Sequence, residues 1–281
     1  WQYTQRSLAE ADESEFAALL WAIVQEVPEL ARLRYTSPHP RHLTRALIEA
    51  HHGIAILAKH LHLPVQSGNN QMLRRMLRRY TREEYLERVT LLKQSVPGLT
   101  LSTDIIVGFP GETATQFNDT LTLVDELAYT GLFGFKYSPR PFTPALKLAD
   151  DIPECEKSER LEAVFARHDL TRRKHLDSLI GTTQDVLIEG RKPDGAFTGR
   201  TARNEIVHLA SLQDITGQIA KVRIALAFKN SLAAELLDES LRVSASALPR
   251  LAQGSEPVRV SDRDPRSPIA TARGGRQLPV V

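Results

Sequence analysis

Two short apolar runs, residues 61–65 and 101–107, each stop at a polar turn that carries glycine. The turns read Gln66-Ser67-Gly68 and Gly108-Phe109-Pro110-Gly111-Glu112-Thr113. Behind each turn apolar residues recur at helical spacing, so the stretch predicts strand, loop, helix, strand, loop, helix. In βα units of this kind ligands bind off the carboxyl ends of the parallel strands, where glycines let backbone approach a bound molecule. The two turns are therefore the first place to look for chemistry.

The same patterning extends in both directions. Residues 13–27 place Phe16, Leu19, Leu20, Ile23, Val24 and Val27 on one helical face. Residues 32–36 read as a short strand stopped by Pro38 and Pro40, and residues 44–51 as a helix. Residues 70–79 predict a helix with Met72, Leu73, Met76 and Leu77 inward and Arg74, Arg75, Arg78 and Arg79 outward. Helices at 82–95, 115–129 and 152–176 and a strand at 133–137 complete the first part. Beyond Ser178 the pattern becomes short alternating runs between glycine turns, which predicts a small β-barrel or sandwich over 178–240. Residues 241–281, rich in Ser, Pro, Arg and Gly, read as a flexible basic tail.

The first part holds about four strands, which cannot close a barrel, and a parallel sheet with an open inner edge is a pairing hazard. The expectation is that an amino-terminal half is missing, in keeping with a first residue that is Trp1 rather than Met. Composition narrows the picture further. The chain has 281 residues, 42% hydrophobic and 25% charged, with a net charge of +2. Those values fit a soluble globular chain, and neither a membrane span nor a signal peptide is visible, so the expected location is the cytoplasm. One cysteine, Cys155, excludes an internal disulfide framework and an all-cysteine metal site. The many histidines between 39 and 62 form no ligand pattern and read as surface or packing residues. Basic residues outnumber acidic ones from 74 to 93, either as a solvated helix face or as a phosphate-contacting one.

The segments HLPVQSG (62–68), STDIIVGFPGET (102–113) and KYSPRPFTPA (136–145) together resemble the radical S-adenosylmethionine methylthiotransferases. The resemblance runs from about residue 15 to 238 and takes in TSPHPRHL (36–43) and RRYTREEYL (78–86). TGRTARNEIVHL (198–209) and KNSLAAELL (229–237) are similar to the family's RNA-gripping TRAM domain. HLPVQSG with YSPRP favours the branch that acts on N6-isopentenyladenosine beside the tRNA anticodon, over branches acting on threonylcarbamoyl-adenosine or a ribosomal protein. The resemblance implies an α/β fold, a partial radical SAM (βα) barrel over 1–177, followed by a small all-β TRAM-like domain over 178–240. It also implies S-adenosylmethionine and two [4Fe-4S] clusters as cofactors, the anticodon stem-loop of a tRNA as partner, no membrane association and a monomer. One cluster iron would bind the methionine end of S-adenosylmethionine, whose reductive cleavage gives a 5′-deoxyadenosyl radical.

For cofactor binding the family likeness implies Gln66 and Ser67 at ribose or methionine groups and the backbone of Val107, Gly108, Phe109, Pro110 and Gly111 at adenine. Ser102 and Asp104 alternate into the barrel interior, with Arg140 as a partner for Asp104, or else Asp104 and Arg140 only brace the barrel. The GFPGET turn has a second reading as a cap for the next helix through Glu112 or Thr113. RNA contacts fall to Arg200, Arg203, Asn204, Lys229 and Asn230, or these are turn residues of a barrel. Two departures from the family stand out. Its CxxxCxxC motif and second cysteine set are absent, so no catalytic residue is assigned, and Phe142 replaces a usual glycine. The expectation is a fragment inactive alone, the contrasting reading being a non-catalytic RNA-binding relic.

Overall fold

The computed structural model describes residues 14–241; the expected basic tail lies outside the described residues. Helix α1 (Glu15–Glu26) starts at Ser14, whose hydroxyl accepts from Ala17 N, and α2 (Arg45–Gly53) starts at Thr44 in the same way. Three parallel strands follow in the order β1 (His60–His62), β2 (Thr100–Val107) and β3 (Gly131–Lys136). Between them lie α3 (Asn70–Arg75), α4 (Arg82–Ser95) and α5 (Ala114–Leu127). Both α4 and α5 open on reciprocal capping boxes, Thr81 with Glu84 and Thr113 with Gln116, which satisfy otherwise orphaned amides.

β2 alternates by face. Leu101, Thr103, Ile105 and Val107 are buried against the helices, while Asp104 and Ile106 remain half-exposed on the concave side. β1 is shorter than the expected 61–65: Leu63 N still donates to Ser102 O at 2.8 Å, but Val65 N, the next donor facing β2, bonds a side chain instead of the backbone. Side chains replace the missing pairing: Thr103 Oγ1 accepts from Val65 N at 3.0 Å, Tyr85 donates to Leu63 O at 2.9 Å and Tyr80 to Val65 O at 2.9 Å. The buried phenols of Tyr85 in α4 and of Tyr80 just before it thus fix the strand end that leads into the first turn.

Two expected elements need correction. Residues 32–36 form no strand; Leu33 makes a single parallel bridge to Leu57, with Leu33 and Tyr35 against the core and Arg32 and Arg34 turned to the second domain. The described sheet therefore has three strands, not four. Helix α3 stops at Arg75 rather than 79. Leu77 takes a left-handed φ of 56°, its amide bonds Arg74 O and that of Arg78 bonds Leu73 O, a Schellman ending with leucine where glycine is usual. Met72 and Leu73 stay buried, but Leu77 is exposed and Arg75 and Arg78 turn toward the sheet's open end.

The long helix α6 (Glu154–Ser178) crosses β3 and α5 and leads into a closed five-stranded barrel. Its strands are β4 (Thr183–Arg191), β5 (Phe197–Thr201), β6 (Ile206–Leu209), β7 (Ile219–Ala227) and β8 (Leu232–Leu236), in the order β4-β5-β6-β8-β7. Val186, Ile188, Phe197, Val207, Val222 and Leu232 fill its interior. Leu176 and Leu179 from the end of α6 join that interior, whereas Val164 of the same helix belongs to the first core. Gly199 sits in β5 because a Cβ there would lie 2.3 Å from Leu187 O. Among the described residues no helix is long and apolar enough to cross a membrane.

Candidate functional site

A cavity of about 540 Å³ opens off the carboxyl ends of β1, β2 and β3. Ile106, Phe109, Phe135 and Tyr137 give it an apolar wall, and Phe109 and Tyr137 meet edge to face at 5.0 Å. Gln66, Asp104 and Ser138 supply polar groups, and Arg75, Arg78, Lys136 and Arg140 ring the mouth. Size and lining match those of a small-ligand site. Gln66 holds a left-handed φ of 72°, pinned by its amide to Asp104 O at 2.8 Å and by Ile106 N to its own carbonyl at 2.9 Å. Strain of this kind persists only where the surroundings over-determine it, and here two rungs of β2 do so.

Asp104 does not pair with Arg140. His62 Nε2 lies 3.3 Å from Asp104 Oδ1, and its Nδ1 lies 2.8 Å from Ser102 Oγ. The imidazole thus links two β2 side chains across the concave face, and the ring packs edge to face on Phe133. His62 is the residue that sequence reasoning missed. Its signal was period two: His60 and His62 share the face of Ser102 and Asp104.

The expected cofactor residues separate into two groups. Gln66, Asp104, Phe109 and Arg140 line the cavity. Ser67 is fully buried the other way, against Thr120 Oγ1 at 3.4 Å, while its hydroxyl accepts from Asn69 N at 3.2 Å. Ser102 lies lower on the strand, and Val107, Gly108, Pro110 and Gly111 form the turn behind Phe109 rather than the lining. Gly68 is set by close packing: a Cβ there would come within 2.4 Å of Asp119 O and 2.6 Å of Thr120 Cα.

The GFPGET turn uses both of its acidic and hydroxyl ends structurally. Thr113 caps α5. Glu112, whose carboxylate is wholly buried, accepts from Gly108 N at 2.7 Å and pairs with Arg160 of α6 at 2.7 Å. Burial pushes this carboxyl up, more than the Gly108 amide and Arg160 hold it down. Arg160 also donates to Glu112 O at 2.9 Å, so α6 grips the turn that carries Phe109.

The expected RNA-contacting residues lie mainly between the two domains. Arg200, Arg203, Asn204 and Asn230 line a second cavity of about 300 Å³ with His60, Ser102, Phe133, Arg172, His175 and Glu205. Several of them already hold the domains together: Arg34 donates to Asn204 Oδ1 at 2.7 Å and Thr100 to Arg203 O at 2.9 Å. His175 meets Glu205 at 2.7 Å. Burial alone would raise the Glu205 carboxyl, but bonds from His175 and Thr201 bring it below its usual range. Asn230 O accepts from Arg172, and exposed Lys229 pairs with Asp169 at 3.2 Å.

Comparison with known proteins adds independent findings. The Radical SAM superfamily model matches residues 10–124 and the TRAM domain model residues 177–237. The tRNA-2-methylthio-N(6)-dimethylallyladenosine synthase of Sorangium cellulosum is 53% identical over 279 residues, which cover 96% of this chain and 55% of that protein. The protein of the same name from Acidithiobacillus ferrooxidans (strain ATCC 53993 / BNL-5-31) is 48% identical over 208 residues, 73% of this chain and 46% of its own length. That of Koribacter versatilis is 44% identical over 227 residues, with 79% and 51% covered. The chain thus spans about half the length of the curated relatives it matches.

Proposed function

The chain belongs to the radical SAM methylthiotransferases, and we propose that it is the part of a tRNA methylthiotransferase that presents S-adenosylmethionine to an RNA base. The whole protein would add a 2-methylthio group to N6-isopentenyladenosine beside the anticodon; the relatives are named as synthases of tRNA-2-methylthio-N(6)-dimethylallyladenosine. The observation that carries this reading is the strand-end cavity, with an aromatic wall facing the fixed polar pair Gln66 and Asp104.

Those residues fit S-adenosylmethionine. Phe109, Tyr137 and Ile106 offer a flat apolar surface for adenine. Gln66, whose side chain forms no hydrogen bond among the described residues, and Asp104, oriented by His62, offer acceptors for ribose hydroxyls or the ammonium group. Arg140, Arg75 and Arg78 at the mouth face either the cofactor carboxylate or RNA phosphates. When bound, S-adenosylmethionine supplies hydrogen-abstracting one-electron chemistry. The chain's own residues do not fit a [4Fe-4S] cluster: its single cysteine, Cys155, is exposed in the first turn of α6, between Glu154 and Glu156. Cluster ligands would come from sequence outside these 281 residues.

The test has two arms. Purified chain is expected to bind S-adenosylmethionine weakly in equilibrium dialysis, with Gln66→Ala and Asp104→Asn each reducing retention. In a strain lacking its own enzyme, this chain joined to a cysteine-bearing amino-terminal half is expected to restore 2-methylthio-N6-isopentenyladenosine in digested tRNA, and this chain alone is not. RNA binding with no cofactor retention in either form would sink the enzyme reading and leave a non-catalytic RNA-binding protein.

A further inference from the structure

Three arginines meet where the extended segment after α1 touches the turn between β5 and β6. Arg34 Nη1 and Arg200 Nη1 both donate to the side-chain oxygen of Asn204, at 2.7 Å and 3.2 Å, so their guanidinium groups are immediate neighbours. Arg32 Nη1 donates to the carbonyl of Arg200 at 2.7 Å. All three are half-buried.

Their charge is poorly compensated. Arg200 has Glu189 at 3.3 Å, but among the described residues no carboxylate lies within ion-pair distance of Arg32 or Arg34. Arg34 Nε is buried without a partner. Burial and then the neighbouring Arg200 disfavour the charge on Arg34, and His60 close by is lowered to about 4 by burial and then by Arg34. Burial likewise disfavours the charge on Arg32, against which Asp185, itself paired with Lys221, and then Glu189 act, and Glu189 also acts weakly in favour of Arg34. Holding like charges together with one neutral acceptor between them costs free energy in the unliganded protein. An anion between the guanidinium forks would repay it.

We propose that Arg34 and Arg200, backed by Arg32, form a clamp for one phosphodiester group of the RNA substrate. Half of the clamp comes from the segment before α2 and half from the barrel, so it exists only when the two domains are docked. The adjoining cavity, lined by His60, Arg172, Arg203 and Asn230, gives the neighbouring nucleotide a polar, cationic surface. This deepens the RNA reading above and rests on it. A phosphate contact carries no base information; it sets the register of the RNA against the barrel.

The test uses the whole chain and a fluorescein-labelled anticodon stem-loop RNA, with affinity followed by anisotropy across a salt series. Arg34→Gln and Arg200→Gln should each weaken binding at low salt and reduce the slope of log affinity against log salt by roughly 0.7 to 0.9, one phosphate contact's worth. Asn204→Ala, which keeps every charge, should lower the melting temperature with the slope preserved. Unchanged slopes in both arginine variants, with wild-type binding intact, would overturn the clamp and leave the RNA reading standing. A wild-type chain that fails to bind the RNA at low salt would overturn both.

Discussion

Replacing Glu112 by alanine tests whether α6 positions the wall of the cofactor cavity. The carboxylate is wholly buried, accepts the Gly108 amide at 2.7 Å and pairs with Arg160, whose side chain is 7% exposed. Alanine leaves the Gly108 N–H without an acceptor, a cost of about 1–3 kcal/mol. It also strips a buried guanidinium of one of its two carboxylates, Glu156 remaining as the other. Breaking a buried pair from one side typically costs about 3–5 kcal/mol, and that figure includes the orphaned partners. For a domain of this size it corresponds to a melting temperature lower by roughly 6–20 °C. Glutamine keeps the volume and an acceptor for Gly108, and because burial already disfavours the charged carboxyl, Glu112→Gln should cost well under half as much. Urea denaturation followed by far-UV circular dichroism gives both values, with an unchanged m-value as the check that the transition stays two-state. Cofactor retention should fall with Glu112→Ala, because the turn carrying Phe109 is released. An alanine cost below about 1 kcal/mol, or one equal to that of glutamine, would refute the claim that this pair fixes the turn.

Gly68→Ala should destabilise by about 1–3 kcal/mol or more, since the added methyl meets the backbone of Asp119 and Thr120 rather than a movable side chain; a thermal melt measures it. Phe142 is fully exposed with a left-handed φ of 64°, so Phe142→Gly should be about 1 kcal/mol more stable than Phe142→Ala, the strain being relieved only by glycine. His51, buried and bonded to Tyr35 at 2.6 Å, is lowered to about 4, with burial as the cause. The unfolded chain takes up this proton near pH 6.5 and the folded chain near 4, so stability present above 6.5 is lost as pH falls between those values. His51 alone accounts for on the order of 3 kcal/mol, His39 and His60 act in the same sense, and Glu112, raised by burial, acts in the opposite one. Urea midpoints measured across that range should fall toward acid, and a flat profile in His51→Asn alone would assign most of the loss to this residue.

Legibility of the sequence followed the strength of local signals. The range expected for α4 matches the observed Arg82–Ser95, because a Thr-x-x-Glu cap and a Pro-Gly stop bracket it. Turn spacing announced a small β-barrel or sandwich, the resemblance to a TRAM domain favoured the barrel, and the strands close as one. Helix α3 was overextended because its terminating residue is Leu77, and nothing in a leucine announces a left-handed conformation. The same miss hid the cavity's rim: ending the helix four residues early is what swings Arg75 and Arg78 toward the sheet. Asp104 was assigned to Arg140 because arginine is the expected partner of a half-buried carboxylate, whereas the sheet register places His62 opposite Ser102 and beside Asp104. Register is long-range information that no local pattern contains.

The segment at 32–36 shows why a strand-like pattern can end as an interface. Its alternation is real: Leu33 and Tyr35 pack into the first core, and Arg32 and Arg34 point away from it. A strand needs a neighbour along its length, and Leu33 has one only at Leu57, so the polar face is free to meet another domain. That face reaches the β5–β6 turn of the barrel, while the end of α6, beside the same turn, inserts Leu176 and Leu179 into the barrel's own core. Two attachments of different kinds result, one apolar through a continuous helix and one through hydrogen bonds from arginines. The apolar attachment carries no charge for an anion to act on. The arginine attachment does, so an anion at Arg34 and Arg200 would relieve their mutual repulsion and tighten the contact between the domains. RNA phosphate and interdomain contact would then strengthen one another, as linkage requires of any ligand whose site spans two bodies.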